Sequence, residues 1–130
     1  MENKKINPVV WFEIYVDDLK RAKKFYETVL ETNLSELPNP TEDGAQMQTF
    51  PMDRESKNTA SGAIVKMKGM KAGGNSTLVY FASEDCGIEE ARIEAAGGKV
   101  VTSKMSLGEY GFMTLGKDTE GNMFGVHSMS

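Results

Sequence analysis

Few of the 130 residues stand where acid–base or nucleophilic chemistry would need them. Glu13 is the first: it interrupts the apolar pattern Val10, Phe12, Ile14, Val16 and shares its alternate face with Trp11 and Tyr15. A carboxylate on such a strand needs a partner, and set beside an imidazole or a phenol it could move a proton on a carbonyl-type substrate. His127, the single histidine, shares a face with Met123 and Gly125 on the last strand pattern, and it reads either as that partner or as a structural group near the chain end. Cys86 is also single, which excludes an internal disulfide and a thiolate metal cluster and fits a reducing compartment. It is either a reactive thiol beside a helix start or a small packed residue. Trp11 has the same two readings, stacking wall or packed aromatic, and the methionine surplus reads as adaptable core filling.

These residues are positioned by Val9 to Leu30, where the hydrophobic period changes from two to 3.6 within one turn. The alternation up to Val16 is a half-buried strand. From Leu19 the stripe Leu19, Ala22, Phe25, Tyr26, Val29, Leu30 is an amphipathic helix, with Lys20, Lys23, Lys24 and Glu27 left outside. Asp17 and Asp18 fall at the change of period, where a carboxylate accepts the first free amide protons. Short strands are expected over Leu34–Leu37, Ala45–Met52 and Gly62–Lys68, separated by the Pro38 to Gly44 break and an exposed 53–61 loop.

Glycines at 69, 73 and 74 then mark a linker over 69–75, after which the opening order returns. Ser76–Ala82 reads as a strand, Ser83-Glu84-Asp85 as a cap, and Gly87–Ala96 as a short helix with Ile88, Ala91 and Ala95 on its packed side. Gly97-Gly98 reads as its C-cap. Strands follow over Lys99–Ser103, Gly111–Lys117 and Asn122–Ser128. Laying Trp11 on Thr77 superposes the two halves, with three extra residues at the second strand-to-helix turn. The expectation is a single 1–130 domain of α+β class: two tandem βαβββ modules, about 7–68 and 76–128.

Composition narrows the function classes. A chain that is 39% apolar can bury a core, and a net charge of −4 with scattered lysines and arginines leaves no basic stripe for nucleic acid. No apolar run approaches the roughly 20 residues of a membrane span, and no signal peptide precedes Pro8, so the expected location is the cytoplasm.

The Val16-Asp17-Asp18-Leu19 strand exit with Arg21-Ala22 and Phe25-Tyr26, the Ala95 to Val100 helix exit, and the Asp118-Thr119-Glu120-Gly121-Asn122 turn together resemble the vicinal oxygen chelate superfamily over about Asn7–Ser128. That superfamily holds glyoxalase I, bleomycin-resistance proteins, extradiol dioxygenases and fosfomycin-resistance enzymes. The resemblance implies strands curled into a cup with helices outside and ligand inside. It also implies four metal-ligand positions, which fall here on Trp11, Thr77, Gly125 and a residue near Val65, with Ile64 or Ala63 beside it. Such side chains are not ligands for a divalent cation, so no metal and no cofactor are expected. Trp11 could partly fill the vacated position, and Gly125 would leave room.

The cup lining is then expected from Trp11, Glu13 and Tyr15, from Thr77, Val79 and Phe81, and from Met123, Gly125 and His127. Glu13 and His127 each lie two residues beyond a ligand position, so both should return to the cup face and could form a catalytic dyad. The functional expectation is a metal-free small-molecule-binding protein with Trp11, Tyr15, Thr77, Phe81, Met123 and Gly125 as ligand contacts. The alternative is a metal-independent lyase or isomerase using Glu13 with His127 or Tyr15. Edge strands and a cup rim that need covering point to a homodimer.

Overall fold

The computed structural model describes residues 8–38, 44–52 and 60–130. Trp11–Tyr15 forms β1, Leu19–Leu30 α1, Ser35–Leu37 β2, Gln46–Thr49 β3 and Ser61–Lys66 β4. The order then repeats: Val79–Ala82 is β5, Cys86–Ile93 α2, Lys99–Ser106 β6, Phe112–Lys117 β7 and Met123–Ser128 β8, with a 3-10 turn at Gly108–Tyr110 before β7. Each repeat makes a four-stranded mixed sheet, in the orders β1-β4-β3-β2 and β5-β8-β7-β6. First and last strands of each repeat run parallel, and the remaining pairs are antiparallel. This is the α+β, two-module architecture expected from the sequence. Most of the anticipated 53–61 loop and of the Pro38 to Gly44 break lies outside the described residues.

Helix α1 forms where the period predicts. Asp18 caps it by accepting the Arg21 amide at 3.0 Å, and Ala22, Phe25, Tyr26 and Val29 are its buried stripe. Helix α2 departs from expectation. Asp85 caps it through the Gly87 amide, but Cys86 and Ile93 are its buried residues, while Ile88, expected on the packed side, is 49% exposed. The regular helix also stops at Ile93, and a further turn carries the chain to Gly97, whose φ of +101° closes it.

Strands β1 and β5 are the facing edges of the two sheets, and an aromatic cluster on the helix side holds them together. Phe12 meets Phe81 at 6.3 Å between ring centroids, and Tyr26 reaches Phe50, Phe81 and Phe124 at 5.7, 5.9 and 5.8 Å. Burial of each such ring is worth roughly 2 kcal/mol, so this cluster is a substantial apolar contribution between the modules.

A buried polar clasp adds to it. The Glu120 carboxylate, whose side chain has no exposed area, accepts the Asp17 and Asp18 amides at 3.0 and 2.8 Å, both arms of the Arg21 guanidinium at 2.7 and 3.0 Å, and the Thr119 hydroxyl at 2.8 Å. Burial opposes its ionisation, but Arg21, the Asp18 amide and Thr119 outweigh that and hold its pKa at about 2. Asp118 accepts the Tyr26 hydroxyl at 2.6 Å and the Glu120 and Asn122 amides. Burial nevertheless raises the Asp118 pKa, and burial together with this carboxylate pushes the Tyr26 hydroxyl well above its ordinary value. The Asn122 side-chain amide then donates to the Tyr15 carbonyl at 2.9 Å, tying the end of β1 to the start of β8.

Candidate functional site

A groove of about 530 Å³ runs along the seam between the modules. One wall is the outward face of β1, Trp11, Glu13 and Tyr15. The other is the start of β5 and β8 with the inter-module linker, including Met70, Asn75, Thr77 and Met123. Strand alternation explains the β1 wall, because Phe12, Ile14 and Val16 go to the helix-side core and the odd-numbered residues are left on the opposite face. Asn75 fixes the opposite wall by imitating a strand residue. Its side chain accepts the Met123 amide at 3.0 Å and donates to the Met123 and Thr77 carbonyls at 3.0 and 3.2 Å.

The Glu13 carboxylate has the partners that its position demands, and they come from its own strand. The Trp11 indole N–H donates to Oε2 at 3.1 Å, and the Tyr15 hydroxyl donates to Oε1 at 2.6 Å. Glu13 remains exposed toward the groove.

Six of the nine expected lining residues, Trp11, Glu13, Tyr15, Thr77, Val79 and Met123, therefore meet in one groove, and Phe81, Gly125 and His127 do not. Phe81 lies on the helix side within the aromatic cluster, paired in register with buried Val126. Val79 pairs with buried Phe124, although it still borders the groove. The β5 residue that shares a face with Gly125 is Tyr80, and its ring covers the glycine so closely that an added Cβ would sit 2.4 Å from it. The room expected at Gly125 is filled. His127 lies beyond the groove with its Nε2 2.6 Å from the Tyr110 carbonyl oxygen, so Nε2 donates there. No hydrogen bond or ion pair joins it to Glu13 among the described residues.

The misplacement of Phe81 has a single cause. The two caps, Asp18 and Asp85, and the equivalent strand-exit bonds from the Val16 amide to the Val65 carbonyl and from the Ser83 amide to the His127 carbonyl, align the modules with turns of equal length. Trp11 then corresponds to Leu78, not to Thr77, and a slip of one residue exchanges the faces of a strand. The linker residues Met70, Lys71 and Asn75 carry no periodic signal, so their sequence marks only a connection.

The same alignment places Ala63 where Gly125 stands in the other module, through the pairs Glu13 with Ala63 and Tyr80 with Gly125. The four positions where the resemblance implies metal ligands thus hold Trp11, Ala63, Leu78 and Gly125. Indole, methyl, isobutyl and hydrogen supply no carboxylate oxygen or imidazole nitrogen, so this donor set does not fit a divalent cation. Among the described residues no group of three or more His, Cys, Asp and Glu is placed to hold one elsewhere.

Residues 9–49 match the sequence family described as bleomycin resistance protein-like N-terminal. No curated protein matches the chain. Solved structures share its fold at low identity. The antibiotic binding protein TnmS3 from a Streptomyces species is similar with a TM-score of 0.69 and 22% identity, over 98% of this chain and 100% of that one. A glyoxalase/bleomycin resistance protein from Albidiferax ferrireducens gives 0.65 and 18%, over 94% and 98%. Glyoxalase I from Zea mays gives 0.72 and 17%, over 92% of this chain and 44% of that one, so this chain spans about half the length of the maize enzyme. Among the described residues no helix is long and apolar enough to cross a membrane.

Proposed function

Starting from a chain with the fold of the vicinal oxygen chelate superfamily, we propose that this protein binds a small organic molecule in the seam groove without a metal ion. The observation that carries the reading is the groove itself, about 530 Å³ with an aromatic and thioether lining and one positioned carboxylate. That is the size and character of a small-molecule site. The resemblance to an antibiotic binding protein supports a binding role, and the donor-poor metal positions argue against the chemistry of the metal-using relatives.

Trp11 is the only tryptophan and lines the groove, so its emission reports occupancy directly. A library of aromatic and heteroaromatic fragments titrated against this signal should yield saturable quenching that Thr77→Phe, which narrows the opposite wall without adding a second tryptophan, weakens. Fragments that bind while leaving Trp11 emission unchanged would place the site elsewhere. Elemental analysis after incubation with zinc, nickel and manganese and desalting should show far less than one metal per chain.

A second reading rests on the 2.6 Å bond from the Tyr15 hydroxyl to Glu13. Such a short phenol–carboxylate pair could relay a proton to a carbonyl-type substrate, with His127 taking no part. Under that reading Glu13→Gln abolishes turnover and spares binding; under the binding reading there is no turnover to lose.

A further inference from the structure

We infer that the groove selects organic cations, an aromatic or aliphatic amine whose ammonium group docks on Glu13 between Trp11 and Tyr15. The inference rests on the seam groove being the binding site and concerns which chemistry it takes. An ionised carboxylate has about four lone-pair sites and no donor. Trp11 and Tyr15 each occupy one, on different oxygens, at 3.1 and 2.6 Å. Two sites remain, and because Glu13 is exposed toward the groove they are open to a ligand donor.

The two donors also fix the geometry. Along one face of a strand alternate residues stand roughly 6.5–7 Å apart, so Trp11 and Tyr15 flank Glu13 on either side, and both rings lean toward it to make their bonds. An ammonium group at the carboxylate therefore sits between two aromatic side chains whose apolar bodies border the ion pair. A neutral hydroxyl can donate one hydrogen bond there but brings no counter-charge, and an anionic ligand meets like-charge repulsion. Met70 and Met123 supply soft apolar surface for the hydrocarbon part.

Lys71 is the other charged residue among the described lining residues, and it forms no ion pair with Glu13, so its ammonium does not occupy the carboxylate's open sites. The net charge of −4 favours the approach of cations as well.

The test compares three ligands that share a phenyl ring and differ in one small polar group, benzylammonium, benzyl alcohol and benzoate, by quenching of Trp11 emission and by calorimetry at low salt. The expected result is at least tenfold tighter binding of the ammonium than of the alcohol, with benzoate weakest. In Glu13→Gln, checked for folding by circular dichroism, the ammonium should lose its tenfold preference and bind no tighter than the alcohol. Equal affinities for ammonium and alcohol, or an ammonium preference that survives Glu13→Gln, would overturn the cation inference and leave the groove as the binding site. Failure of all three ligands to perturb Trp11, with binding seen by calorimetry or not, would overturn the site itself.

Discussion

Glu120→Gln tests the clasp with the smallest available change, one oxygen for one NH2 group of nearly equal size. The carboxylate is ionised in the folded chain with a pKa of about 2, against an ordinary 4.5. A depressed carboxylate stabilises the fold fully above 4.5, and that contribution is lost as pH falls through the folded value. The gap between 4.5 and about 2 corresponds to roughly 3 kcal/mol. Arg21, its main charged partner, has 53% of its side chain exposed, and screening there reduces the figure to about 2 kcal/mol. In a chain of this size about 2 kcal/mol lowers the melting temperature by roughly 8 °C. Urea unfolding of the parent and the variant, followed at pH 7, 5, 4, 3 and 2.5, should show a constant difference down to about pH 5 that shrinks steadily below it. The raised pKa of Asp118 has the opposite sign, but it is present in both proteins and cancels in the difference. A variant as stable as the parent at pH 7, or a difference unchanged between pH 6 and 2.5, refutes the assignment of this stability to the Glu120 charge.

Tyr26→Phe removes the hydroxyl that donates to buried Asp118 and should cost about 2 kcal/mol in urea unfolding, because the carboxylate stays buried with one donor fewer. Gly98→Ala puts a Cβ 2.3 Å from the Lys117 carbonyl oxygen, which is backbone and cannot yield, so a loss of about 3 kcal/mol or failure to fold is expected. In Gly125→Ala the atoms nearest the new Cβ belong to the Tyr80 ring, which is 47% exposed and can swing outward, so about 1 kcal/mol is expected, with a change in tyrosine exposure seen by ultraviolet difference absorption. Light scattering at micromolar concentration should give a homodimer, since Tyr80, Met105, Tyr110 and Met129 leave large apolar surface in water; a monomer would rule that out.

The fold was legible because its units announce themselves locally. A period change of two to 3.6 at Asp17-Asp18 defines β1 and α1, and the glycine linker followed by a weaker copy of the same order defines the second module. The β5 face was not legible, and the reason is physical. Ser76–Ala82 is apolar almost throughout, so alternation could not say which residues turn inward, and the overlay with β1 slipped by one. The caps hold the better register, since Asp85 must accept the first free amide of α2 wherever the strand begins. Ile88 was misread for a related reason: in a helix of eight residues the apolar spacing is too short to define a face, and Cys86 and Ile93 take the buried side. At the site, the β1 wall could be read from alternation alone, whereas the linker wall depends on Asn75 binding the backbone at Met123, a tertiary contact with no periodic trace.

The Asp118 to Asn122 turn joins these two levels. As an edge strand, β1 has a ladder on one side only, and such strands are the first to loosen. Here its end is fastened twice to the turn that precedes β8, at the Tyr15 carbonyl by Asn122 and at the Asp17 and Asp18 amides by Glu120. The linker wall is fastened to the same place, through Asn75 on Met123 and through the Gly73 amide donating to the Asn122 side chain at 2.6 Å. Both walls of the groove thus take their position from the start of β8, and the ordering they need is complete before a ligand arrives, which lowers the entropic cost of binding. Glu120 is not on the groove lining. Glu120→Gln should nevertheless weaken benzylammonium binding severalfold at temperatures where the variant remains fully folded, because it frees the strand that carries Trp11, Glu13 and Tyr15. Val29→Ala, a cavity of comparable cost in the helix-side core that touches no group of the turn, should leave that affinity unchanged. Equal losses in the two variants would mean that binding follows overall stability and that the clasp does not position the site.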